Sequence, residues 1–124
     1  MGLDMYAFTT KFKPKTPVDF KIADDVTITE LFYWRKHPNL HGWMEQLYRS
    51  KGGEGSDFNG DKVALTLADL DALEAAIREE VLPETTGFFF GESRPEEKNS
   101  DFEFIDLARK AIAQGLTVYY DSWW

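Results

Sequence analysis

An α+β fold is predicted for this chain: one domain over residues 1–124, with a sheet of about four to five strands packed by three helices. Three features point there. Three stretches carry apolar residues at helical spacing. Short runs rich in β-branched and aromatic residues lie around them. No internal repeat or linker-like segment divides the chain, and 124 residues fit a single domain.

The elements follow in order. Residues 2–9, GLDMYAFT, alternate loosely and read as a first strand with Leu3, Met5 and Ala7 on one side. KFKPKTP at 11–17 is basic and proline-bearing, hence a loop or irregular edge. Val26–Trp34, VTITELFYW, reads as a second strand. A helix through Glu30–Lys36 competes with it, because LFYWRK has no clean period.

Pro38 suits the first turn of a helix, where its missing N–H costs nothing. Leu40, Trp43, Met44, Leu47 and Tyr48 then form an apolar stripe. SKGGEGSDFNGDK at 50–62 is a glycine-rich loop, and Val63–Leu65 a short strand. Thr66 with Asp69 resembles a helix start. Leu67, Leu70, Leu73, Ile77 and Val81 mark the core face of that helix, which Pro83 is expected to stop.

Thr86–Phe90 reads as a central strand, since three consecutive phenylalanines need cover on both sides. Residues 91–99 read as a charged loop, and Ser100 with Glu103 as a capping box. Phe104, Ile105, Ala108, Ala111 and Ile112 give the third helix, and Gly115 occupies the place of a left-handed cap. Leu116–Tyr120 is the last strand. The closing Trp123 and Trp124 are expected to dock, because an exposed pair of tryptophans invites aggregation.

Composition narrows the function. No cysteine is present, which removes disulfides, thiolate metal sites and cysteine nucleophiles. No apolar run approaches the roughly 20 residues of a membrane-spanning helix, and the start lacks a secretory pattern. A cytoplasmic location is therefore expected. The net charge of −8 argues against direct nucleic-acid binding. The charge is polarised: residues 1–51 are slightly basic, while residues 52–124 hold sixteen of the twenty-two acidic side chains. Such a surface either solvates helices or meets a basic partner.

Candidate sites are few. His37, His41 and Glu45 share a spacing of four, but Pro38 places His37 at or before the helix start, so no metal site is expected. DFNGDK lacks the glycine and glutamate of a calcium loop. GGEG at 52–55 lacks the ending of a phosphate-binding loop, and no GxSxG is present. No catalytic set and no cofactor are expected. The densest mixture of cationic and aromatic groups is Tyr33, Trp34, Arg35, Lys36, His41 and Trp43. With Tyr120 and Trp123 of the tail it forms the candidate ligand- or partner-binding set, since Arg and Trp offer forked donors and planar area. The same residues equally read as a core with cations at its rim.

Four blocks, MGLDMY, YWRK at 33–36 with His41 and Trp43, LPETTGFFFG at 82–91 and the closing YYDSWW, together resemble a family of small proteins encoded by bacteriophages and prophages. The resemblance spans nearly the whole chain and brings no catalytic residues with it. It implies a phage accessory protein. The leading expectation is a non-enzymatic binding protein or inhibitor acting on a host or phage macromolecule. The alternative is a small-ligand site or modest enzyme around Arg35 and His41.

Overall fold

The structure, a computed structural model, describes residues 2–87 and 91–124. Four strands, β1 (Asp4–Thr10), β2 (Ile28–Arg35), β3 (Val63–Leu65) and β4 (Thr117–Trp123), form an antiparallel sheet in the order β2-β1-β4-β3. Three helices, α1 (Pro38–Ser50), α2 (Leu67–Arg78) and α3 (Glu97–Ala113), complete the α+β arrangement. The Leu31 position settles as strand: Ala7 pairs with Phe32 and Phe8 with Glu30, so Leu31 is the extra residue of a bulge. That bulge accounts for the irregular period of LFYWRK.

Period-two alternation sorts the side chains. Met5, Ala7 and Thr9 of β1 point to one face, beside Trp34 and Phe32 of β2 and Ser122, Tyr120 and Val118 of β4. The apolar stripes of all three helices join this face in one core, through Leu40, Met44 and Tyr48 of α1, Leu70, Leu73 and Ile77 of α2, and Phe104, Ile105 and Ala108 of α3. Asp4, Tyr6 and Phe8 of β1 point the opposite way, as do Tyr33, Tyr119 and Trp123.

The helix ends follow one device. In α1, the amides of Gly52 and Gly53 bond to the carbonyls of Arg49 and Tyr48; in α3, those of Gly115 and Leu116 bond to Ile112 and Ala111. Gly52 and Gly115 are left-handed at φ +96° and +86°. In α2 the same pair of bonds runs from Glu80 to Ile77 and from Val81 to Ala76, with Glu80 left-handed at φ +57°. The helix thus stops at Arg78, five residues before Pro83, and Val81 lies exposed beyond it. Leu67 is exposed as well, in the first turn, so two of the five expected core positions of α2 face solvent.

Thr66 caps α2 through a reciprocal capping box with Asp69. The start of α3 differs from expectation: the helix begins at Glu97, which places Ser100 inside its first turn. The amide of Arg94 donates to Glu97 Oε2 there at 3.2 Å. The strand expected over Thr86–Phe90 falls largely outside the described residues; Thr86 and Gly87 have irregular backbone. The terminal tryptophans divide, Trp124 packing on the core and Trp123 standing 69% exposed on the other face. Among the described residues, no helix is long and apolar enough to cross a membrane.

Candidate functional site

The sheet face opposite the helices carries a row of aromatic rings. Tyr33 of β2 lies 5.2 Å from Tyr6, Tyr6 stacks on Phe8 at 5.5 Å, and Phe8 lies 5.4 Å from Tyr119 of β4. Phe20, from the β1–β2 connection, closes the row edge-on against Tyr119 at 5.4 Å. Such offset and edge-on pairs add stability beyond the area they bury. One end of the row is covered: Phe20 and Tyr119 are buried. The other end is open. Tyr33 is 43% exposed and Trp123 69%; Ile28, 41% exposed, lies on the same face at the far end of β2, paired with Thr10.

Ion pairs edge this face. Arg35 Nη1 lies 3.5 Å from Asp4 Oδ1, and Tyr33 donates its hydroxyl proton to the same oxygen at 2.6 Å. That hydrogen bond to a carboxylate raises the Tyr33 pKa, with burial adding to it. Lys62 Nζ lies 3.6 Å from Asp121 Oδ2. Burial raises the Asp121 pKa, opposed by the Lys62 charge, and burial carries Tyr119 up to about 12. Asp4, Glu30 and Asp121 leave the face with more carboxylates than cations.

The eight residues singled out in the sequence divide by the parity of their strands and the phase of their helix. Tyr33, Arg35 and Trp123 lie together on the open face. Trp34 and Tyr120 point inward and are buried; Trp34 Nε1 donates to Asp101 Oδ1 at 3.1 Å. His41 is buried, its Nδ1 2.6 Å from the Tyr120 hydroxyl, and burial lowers its pKa to about 4. Trp43 is half-buried on the core. Lys36 is half-buried, and Cβ atoms added at Gly2 and Gly91 would come within 3.2 Å and 3.1 Å of its side chain, so both glycines allow its stem to lie close. Arg35 and His41 stand on opposite sides of the sheet.

A second group of polar side chains assembles on the helix side. His37 is the residue before Pro38 and is buried. Its Nε2 lies 2.9 Å from Asp101 Oδ2; its Nδ1 lies 2.7 Å from Ser93 Oγ and 3.0 Å from Glu97 Oε2. Ser93 Oγ also accepts the amide proton of Asn39 at 3.1 Å, serving the first turn of α1, whose own N-cap side chain makes no such bond. His37, Ser93 and Asp101, with Ile77, Leu82 and Lys98, line a cavity of about 310 Å³.

Ser93, Glu97 and Asp101 were not legible as partners of His37. They lie 56 to 64 residues away in sequence. One signal did exist: Asp101 precedes Phe104, Ile105 and Ala108 at helical spacing, which sets a carboxylate on the core face of α3. A buried carboxylate needs partners.

No protein-family model, curated protein or solved structure matches the chain.

Proposed function

We propose that this chain is a binding protein, a small accessory protein of phage or prophage origin that acts on a host or phage macromolecule, and that it docks through the open face of its sheet. The observation that carries this reading is the placement of its exposed apolar groups. Ile28, Tyr33 and Trp123 share one face of the sheet, where an aromatic row runs inward from Tyr33. Aromatic side chains at a water-exposed surface offer a large contact area at small entropic cost, and such patches mark interaction sites.

Charge narrows the partner to a protein with a basic, partly apolar surface. The net charge of −8, and a face on which Glu30 adds to Asp4 and Asp121, themselves paired with Arg35 and Lys62, favour cations on the partner. Association with such a surface is steered by charge and weakens with salt.

The test is capture from a bacterial host lysate by the immobilised protein, at about 0.05 M and about 0.5 M salt. A Tyr33→Ala/Trp123→Ala variant with unchanged circular dichroism and thermal midpoint runs beside it. The expected result is a protein held at low salt, released at high salt and missed by the variant. Equal capture by the variant, or no capture by the wild type, contradicts the proposal.

A further inference from the structure

We propose that Ser93 is a nucleophile toward small carboxylic esters, with His37 as its base and Asp101 as the group that orients His37. The inference stands apart from the binding reading, since the two sites lie on opposite sides of the sheet. It rests on three linked contacts. Ser93 Oγ is 2.7 Å from His37 Nδ1, and His37 Nε2 is 2.9 Å from Asp101 Oδ2. Trp34 Nε1 fixes the other oxygen of Asp101 at 3.1 Å. Asp101 and His37 are both buried, so neither has freedom to turn away.

A carboxylate faces each ring nitrogen, Asp101 at Nε2 and Glu97 at Nδ1; in the proposed site the neutral imidazole carries its proton on Nε2, toward the more deeply buried Asp101. Nδ1 is then the acceptor for the Ser93 hydroxyl. The two ring nitrogens are used in the reverse of the order usual in serine hydrolases, which the chemistry permits because either can be base once the other is held. The amide of Asn39 donates to Ser93 Oγ and fixes its position without taking its proton.

In the first step Ser93 Oγ bonds to the ester carbonyl carbon while its proton passes to His37 Nδ1. Asp101 stabilises the imidazolium, and Glu97 Oε2, 3.0 Å from Nδ1, accepts a hydrogen bond from the proton that has arrived. The carbon–alkoxide bond then breaks, and the leaving alcohol takes that proton from Nδ1. Water attacks the acyl-serine in the same way: its proton goes to Nδ1, the acid departs, and Ser93 regains its hydroxyl. Arg94 also lines the cavity and brings positive charge for the developing oxyanion, while Lys98, beside it, is paired with Glu80 at 3.4 Å. Ile77 and Leu82 supply apolar lining, and about 310 Å³ suits a short acyl group.

The test uses the full chain, a fluorophosphonate probe and p-nitrophenyl acetate. The expected result is a single adduct on Ser93, located by peptide mass spectrometry, and ester hydrolysis lowered at least about 100-fold in Ser93→Ala. Because Ser93 also serves the first turn of α1, the wild-type adduct is the primary readout and needs no variant. His37→Gln, checked for its thermal midpoint, is expected to lower the labelling rate at Ser93 by a similar factor, whereas a role in capping alone leaves no reactive serine to label. Absence of a wild-type adduct, an adduct elsewhere, or equal labelling in a folded His37→Gln variant overturns the proposal.

Discussion

His41 Nδ1 and the Tyr120 hydroxyl share a hydrogen bond of 2.6 Å that ties α1 to β4 inside the core. Burial inside the core favours the neutral imidazole. Burial lowers its pKa to about 4, against an ordinary value near 6.5. As pH falls below about 6.5 the unfolded chain takes up this proton first, so the unfolded state is favoured. The contribution is fully present above about 6.5, declines as pH drops to about 4, and changes no further below that. It amounts to about 3 kcal/mol in all. Urea midpoints measured over this range are expected to fall in the wild type and to fall less in His41→Gln. Parallel curves for the two proteins contradict the assignment.

Glu80 occupies the left-handed position that glycine fills after α1 and α3. That conformation costs a side-chain-bearing residue about 1 kcal/mol. Its exposed pair with Lys98, at 3.4 Å, returns little. Glu80→Gly is therefore expected to raise the thermal midpoint by about 4 °C. A midpoint unchanged or lowered in calorimetry removes the strain argument.

Gly42 lies within α1, where replacing glycine by alanine ordinarily stabilises by about 1 kcal/mol. Here a Cβ would meet Thr85 Oγ1 at 1.9 Å and Thr85 Cβ at 2.9 Å. Gly42→Ala is expected to reverse sign and destabilise by at least about 1 kcal/mol. Adding Thr85→Gly should recover most of the loss in chemical denaturation. A stabilised single variant shows that the 82–87 segment does not pack on α1.

Trp34→Phe keeps the ring contact with Phe104, 4.8 Å away, but removes the indole N–H from buried Asp101. A buried acceptor stripped of its donor costs about 1–3 kcal/mol. Denaturant midpoints measure this directly, and a loss below about 0.5 kcal/mol shows that Asp101 finds another donor.

Much of this fold is legible in the sequence because its signals are local. Pro38 starts α1, Thr66 with Asp69 starts α2, Gly115 ends α3, and Val63–Leu65 is a strand as expected. Where a distant contact decides, sequence runs out. Ser100 and Glu103 have capping-box spacing, yet the chain enters α3 four residues earlier, where Glu97 meets His37 and the amide of Arg94. The end of α2 is set by a left-handed glutamate, a position where glycine is the usual signal. Among the candidate binding residues, composition joined Tyr33, Trp34 and Arg35 as one cluster, and strand parity sends Trp34 to the core and its neighbours to the open face. The bulge at Leu31 hid that parity from the pattern.

Docking on the open sheet face predicts a footprint that hydroxyl-radical oxidation reads on the protein with and without its captured partner. Protection of Tyr33 and Trp123 is predicted, with Leu67, in the first turn of α2, and Val81, beyond its last, oxidised as in the free chain. Unchanged oxidation of Tyr33 and Trp123 in the complex, with protection falling instead on Leu67 or Val81, would contradict it.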